Sequence, residues 1–191
     1  VETYSSNFNL FPYKYFIQLK DECKNLVRDT DENIEKCFYV GRYLVEGSNY
    51  FPQNTQLGIK YLKISIKNGN KQSLIYYCEM LIKGKIVPKN HSKVKKLISA
   101  YLNPHESIYY LLYGKILKNK KNYKEALKFF GKSMKLGNYD SMYEYAKLLY
   151  KTWESQNGKE ESIIIFKKLI ENQYLKAMFK YGQILIKDEF A

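Results

Sequence analysis

Few residues in this 191-residue chain could carry chemistry, and their spacing argues against it. The two histidines, His91 and His105, have no cysteine or carboxylate at metal-ligand spacing beside them, so neither is read as a metal ligand or a general base. The acidic pairs Asp31-Glu32 and Glu160-Glu161 sit where helices should begin, and there a carboxylate opposes the positive end of the helix dipole. The glycines are too dispersed to cradle a phosphate. Asn90-His91-Ser92 matches a glycosylation sequon, which matters only in a secreted protein. No catalytic residue, cofactor, metal or small-molecule substrate is therefore expected, and the functional question moves to surfaces.

The elements that present those surfaces repeat. Residues 121–150 contain one helix, a glycine turn at Gly137 and the start of another helix. Ala126 in the first helix is followed 20 residues later by Ala146 in the second, and the same step links Gly58 to Cys78, Val94 to Gly114 and Ser162 to Gly182. The resulting column of small residues is Gly41, Cys78, Gly114, Ala146 and Gly182, at spacings of 37, 36, 32 and 36. Leucine stands three places after each of them, at Leu44, Leu81, Leu117, Leu149 and Leu185. One place before stand Val40, Tyr77, Tyr113, Tyr145 and Tyr181, which makes most of these tyrosines packing residues. A small residue flanked by large apolar ones at helical spacing lets two helices approach closely. Each repeat is thus a leading helix, carrying the small column, and a trailing helix. Such a pair cannot bury both apolar stripes alone, so repeats must stack.

A repeat of about 36 residues, with Leu three after the small residue, Gly six after it (Gly47, Gly84) and a closing Gly (Gly69, Gly137), resembles the Sel-one-like repeat family of the tetratricopeptide superfamily. The third repeat is similar to the shorter tetratricopeptide form. The resemblance covers residues 33–187. It departs from the pattern at Gly58, Val94 and Ser162, where alanine is common in the family, and in the loop glycine missing from repeats three and four. It implies an all-α fold, a right-handed α-solenoid of about four helix-turn-helix repeats, used as an adaptor or scaffold that binds protein.

The expected organisation is a segment 1–32 with a capping helix over 12–28, an array at 33–69, 70–103, 104–137 and 138–173, an unpaired final helix at 174–187, and a tail at 188–191. Expected helices run over 33–46, 55–67, 71–83, 91–102, 140–152, 159–171 and 175–187, with a helical pair within 106–136. Trp153 is read as an anchor at a helix end. The sequence lacks an initial Met and stops after a leading helix, so it reads as a piece of a longer array. Cys23, Cys37 and Cys78 share no fixed place in the repeat, which argues against a disulfide framework and for a reduced, cytoplasmic setting. No apolar run approaches the roughly 20 residues that span a bilayer, and the start lacks the features of a signal peptide.

In the resembled family the leading helices line the concave face. Positions two before, one after and five after the small residue share one polar stripe of those helices. They are Tyr39, Arg42 and Glu46; Tyr76, Glu79 and Lys83; Leu112, Lys115 and Asn119; Glu144, Lys147 and Lys151; Lys180, Gln183 and Lys187. This stripe is the candidate groove for a protein or peptide segment with apolar and acidic groups. A solvated helix face would read the same way. The net charge of +13 adds a second reading, a lysine-rich module for nucleic acid or an acidic surface. All basic residues but Arg28 and Arg42 are lysine, however, and phosphate and base recognition favour arginine. The abundance of Lys, Asn, Ile and Tyr points instead to composition bias. A third reading makes the array the regulatory arm of a larger enzyme.

Overall fold

The computed structural model describes residues 31–47, 52–152 and 156–189, and all regular structure among them is helical. The helices are α1 (Asp31–Glu46), α2 (Thr55–Lys67), α3 (Lys71–Lys83), α4 (His91–Tyr101), α5 (Ser107–Asn119), α6 (Tyr123–Lys135), α7 (Tyr139–Thr152), α8 (Gln156–Glu171) and α9 (Leu175–Glu189). The expected helix over 12–28, residues 190–191 of the expected tail, and Trp153 lie outside the described residues, and the last helix runs on through residues 188 and 189. The chain divides into two compact units, residues 1–89 and 90–191, and the division falls in the loop inside the second repeat. The first unit contributes α1 to α3 and the second α4 to α9.

Helix boundaries follow local chemistry. Asparagine caps α2, α3, α4, α6 and α7: the side chains of Asn54, Asn70, Asn90, Asn122 and Asn138 each accept a hydrogen bond from the backbone N–H three residues on. Gly47, Gly69, Gly84 and Gly137 end helices with positive φ, as the repeated glycine positions require. Gln173 stands at the closing-glycine position of the fourth repeat and still adopts φ 57°. Glu160 and Glu161 do not cap α8. That helix starts at Gln156, which leaves them beyond its first turn, and Glu161 instead accepts a hydrogen bond from the Tyr145 hydroxyl at 3.5 Å.

The small column is where helices cross. In the first unit, a Cβ on Gly58 would lie 2.7 Å from the Gly41 carbonyl oxygen, so α1 and α2 touch backbone to backbone. In the second, a Cβ on Gly114 would lie 2.5 Å from the Phe130 ring. The residues four places beyond the small position of each trailing helix, Leu62, Ile98, Phe130 and Phe166, are all completely buried. Leu62 fills the notch over Gly41 and Phe130 the notch over Gly114, while Phe166 shares a core with Ala146. Cys78 is fully buried, and burial pushes its thiol up to about 12.

Buried serines add a second link. The Ser73 hydroxyl donates to Ser65 at 2.8 Å, and Ser65 donates to the Ile34 carbonyl at 2.9 Å, so one relay joins α3, α2 and α1. Ser141, Ser133 and the Ser107 carbonyl form the same relay across α7, α6 and α5, at 2.6 and 2.7 Å. The third repeat-to-repeat boundary in the second unit is apolar at these places, with Leu169 and Ala177.

Two variants test this packing. Gly114→Ala is expected to lower stability by roughly 1–3 kcal/mol through overpacking, whereas Gly182→Ala, with nothing within 4 Å of the added Cβ, should raise it by up to about 1 kcal/mol through helix propensity. Thermal melts of both check the contrast, and equal shifts would contradict the crossing geometry. Gln173→Gly should raise the melting temperature as well, because it relieves a left-handed backbone worth about 1 kcal/mol.

Candidate functional site

The polar stripe of the leading helices is built differently in the two units. In the first unit, Arg42 pairs with Glu46 one turn on, its Nε 3.0 Å from the carboxylate, and its guanidinium lies 6.0 Å from the centre of the Tyr76 ring. The Tyr76 hydroxyl reaches across from α3 to donate to the same Glu46 at 3.1 Å. Burial, then the Glu46 charge beside it, pushes the Tyr76 hydroxyl far above its ordinary pKa, so it stays a hydrogen-bond donor. Phe38 meets the Tyr76 ring edge-on at 6.2 Å. Tyr39 donates to Glu35 at 3.1 Å, and Lys83 pairs with Glu79 at 2.8 Å. This is a tyrosine-rich wall whose charges are paired among themselves.

In the second unit, lysines dominate the stripe and two carboxylates organise them. Glu144 on α7 is mostly buried and is paired by Lys118 from α5, with Lys147 at 3.8 Å on its other oxygen. Burial alone would raise the Glu144 pKa. The Lys118 ammonium, helped by Lys147 and Lys115, outweighs that and holds it below the ordinary value. Lys147 also lies 4.7 Å from the centre of the Tyr143 ring, within cation–π range. One turn back on α7, Asp140 accepts hydrogen bonds from two residues of the next repeat, the Tyr174 hydroxyl and Lys176, the latter at 2.9 Å. Its pKa is lowered too: burial would raise it, and the Tyr174 and Lys176 contacts overcome that. Lys180 donates to the Gln183 side chain at 3.4 Å.

Of the residues expected on this stripe, Leu112 is misplaced. It is completely buried, so it belongs to the core and offers no contact surface. The same position is only half-exposed in other repeats, at Tyr76 and Glu144, and an apolar side chain there withdraws into the packing, which leaves Lys115 and Lys118 on the polar edge. Lys118, Asp140, Tyr143, Tyr174 and Lys176 were missed by the three-position rule. Asp140 and Lys176 lie six residues before their small residue, one turn beyond the first position of the stripe, where Glu35 also stands. Extending the pattern by one turn would have found Asp140 and Lys176.

Among the described residues no group of three or more His, Cys, Asp or Glu side chains could hold a metal ion. No described helix is long and apolar enough to cross a membrane. His91, the first residue of α4, has a buried Nε2 with no hydrogen-bond partner.

Solved repeat proteins share this arrangement of helical pairs. A crystal structure of a protective antigen from uropathogenic Escherichia coli strains, described as displaying an SLR fold, superposes on 91% of this chain with a TM-score of 0.58 at 21% identity. The chain has the Sel1-like repeat fold. A Sel1 repeat protein from Oxalobacter formigenes also matches over 91% of the chain, with a TM-score of 0.60 at 14% identity. The chain spans 37% of the first protein and 70% of the second. No family model and no curated protein matches it. As a Sel1-like repeat array, the chain is an all-α solenoid, and its stripe belongs to the leading helices of the repeats.

The carboxylates give the stripe a pH signature. Both Asp140 and Glu144 have lowered pKa values when folded, so the unfolded chain binds protons first, and their stabilisation is lost as pH falls below the ordinary values of 3.8 and 4.5. In Glu144→Gln, urea midpoints should fall less steeply with acid than in the unmodified chain. Parallel acid limbs would show that the lysines do not depend on Glu144.

Proposed function

We propose that the protein is a non-catalytic scaffold that holds a segment of a partner protein along the stripe of its leading helices. The observation that carries this reading is the second unit's stripe, where Lys118 and Lys147 are drawn onto one mostly buried carboxylate beside the Tyr143 ring. Long cations held in place next to aromatic faces suit a segment that carries carboxylates and apolar side chains. The first unit's stripe, by itself, has tyrosines whose charged neighbours are already paired, so it offers aromatic contact and hydrogen bonds more than net charge. The Sel1-like repeat fold supports the reading, because stacked repeats present side chains at regular intervals along one surface.

A second reading rests on a different surface. Lys124, Lys128, Lys132 and Lys135 are all exposed and fall on one face of α6, along three turns. A continuous lysine line of this kind would attract a polyanion without reading its sequence.

Salt separates the two. Affinity capture from lysate, at about 0.1 and 0.5 M salt, is expected to retain a partner on the unmodified chain and lose it on a Tyr76→Ala, Lys147→Ala, Lys180→Ala variant of unchanged helicity. Direct titration of the purified partner should then show a modest salt slope, since apolar anchors do not release counterions. Binding that vanishes with salt, and that Lys124→Ala with Lys132→Ala abolishes while the stripe variant does not, would transfer the function to α6.

A further inference from the structure

Among the described residues, one boundary between successive repeats is built unlike the others. The place seven residues after the small position of a trailing helix holds Ser65, Ser133 and Leu169, and the place five before the small position of the next leading helix holds Ser73, Ser141 and Ala177. All six are completely buried. At the boundary between α4 and α5 the same two places hold Tyr101 and Tyr109. Two phenol rings cannot enter a space that elsewhere holds two hydroxyls. Tyr101 accordingly stands at 42% exposure, and Tyr109 is only half-buried.

A run of rings continues from this boundary. Tyr109 lies 4.7 Å from Tyr113 and 5.6 Å from Tyr110, centre to centre, while Phe129 of α6 stacks on Tyr113 at 5.7 Å and lies 6.2 Å from Tyr110. All four are half-buried, so each keeps part of its ring in solvent. Ser99 of α4 is hydrogen-bonded with the Tyr113 hydroxyl, which sets that helix along one side of the run. On the other side the Lys132 ammonium lies 5.7 Å from the centre of the Tyr110 ring and 5.8 Å from that of Phe129. Exposed lysines continue both edges: Lys95 one turn before Ser99 on α4, and Lys128 and Lys124 one and two turns before Lys132 on α6. Glu106 and Glu125 are the only acids between residues 91 and 136. Both are engaged, Glu106 accepting from the Asn103 N–H at 3.2 Å and Glu125 pairing with Lys128 at 2.8 Å.

We infer that the ring-lined cleft between α4 and α6 binds single-stranded nucleic acid, with bases stacked on the open aromatic faces and phosphates along the two lysine edges. The inference rests on the second reading above, in which the α6 lysines attract a polyanion, and adds contact with the bases. Stacking asks for a π face and not for a planar hydrogen-bonding fork, so lysine serves as the backbone cation and no arginine is needed. A single strand supplies unpaired base faces and a phosphate at every step, which matches rings bordered by cations. An acidic peptide would bring the charge with few planar groups to cover the rings.

The probe is a fluorescently labelled deoxythymidine strand of about 12 nucleotides, titrated with the whole chain at about 0.1 M salt. Anisotropy should give saturable binding with a Kd of about 1–100 μM. An abasic strand of the same length, which keeps the phosphates and lacks the bases, should bind at least about fivefold more weakly. Tyr101→Ser with Tyr109→Ser, which installs the pair that closes two of the other boundaries, should weaken binding of the thymidine strand by a similar factor at an unchanged or raised melting temperature. Tyr101→Ala, at an exposed site, is the second variant should the double change alter the fold, and it should weaken binding at least about threefold. Lys167→Ala with Lys168→Ala, two exposed lysines of α8, controls for lost charge and should leave the Kd within about twofold. Equal affinity for the abasic strand or for poly-glutamate, or tyrosine variants that bind as the unmodified chain does, would overturn the stacking proposal and leave the α6 lysine surface standing. Absence of saturable binding to all of these polyanions below about 1 mM would overturn both.

Discussion

A large apolar side chain seated over a small residue on the neighbouring helix is the contact on which the rest of this structure depends. Where Phe130 lies over Gly114, its ring occupies the space a side chain would fill, and a single methyl on Gly114 would meet the ring at 2.5 Å. Because the interior is close-packed, that contact also fixes which residues face outwards. Leu111 and Leu112 turn into the core, and Lys115 and Lys118 are left on the polar edge. The stripe is therefore a by-product of packing before it is a binding surface. Its side chains could vary widely as long as the notch and its occupant are kept.

The notch explains what was legible in the sequence and what was not. The column from Gly41 to Gly182 and the leucine three places on could be read directly, because packing demands a residue of one size at one interval. Helix limits followed to within a few residues, since Asn caps and glycine turns are local devices. Leu112 failed because its offset is a half-buried one, where Tyr76 and Glu144 keep polar groups at the edge and an apolar side chain sinks into the core. The Asp140 and Glu144 clusters could not be foreseen as clusters, because each draws one cation from another helix, at separations of 26 and 36 residues. Sequence periodicity reports the helix a residue is on, and only the stacked structure reports which helix lies opposite.

The asparagines illustrate a related point. Taken with lysine, isoleucine and tyrosine, they suggest a compositional drift with no structural meaning. Yet Asn54, Asn70, Asn90, Asn122 and Asn138 each satisfy a backbone N–H that would otherwise lack a partner at a helix start. The serines behave similarly. Ser65 with Ser73, and Ser133 with Ser141, are separated by the same eight residues, and each pair links three successive helices through a leading-helix carbonyl. A slip of one turn at either boundary would strand two hydroxyls and a carbonyl in the core at a cost of the order of 1–3 kcal/mol for each group. The apolar contacts at these boundaries tolerate such a slip far better than the relay does, so the relay acts as a ruler for the stack.

The buried position of Glu144 bears on how a ligand would be met. Lysine side chains on a free helix surface sample many rotamers, and fixing one on binding costs about 1.5–2 kcal/mol of conformational entropy. Lys118 and Lys147 already converge on Glu144 in the unliganded chain, and the Tyr143 ring lies against Lys147. Much of their freedom is thus surrendered during folding. An incoming carboxylate would find cations at set positions and would have to outbid Glu144 only in part, since each ammonium has further N–H donors directed outwards. Folding stability and readiness for a partner are in this way drawn from the same buried charge.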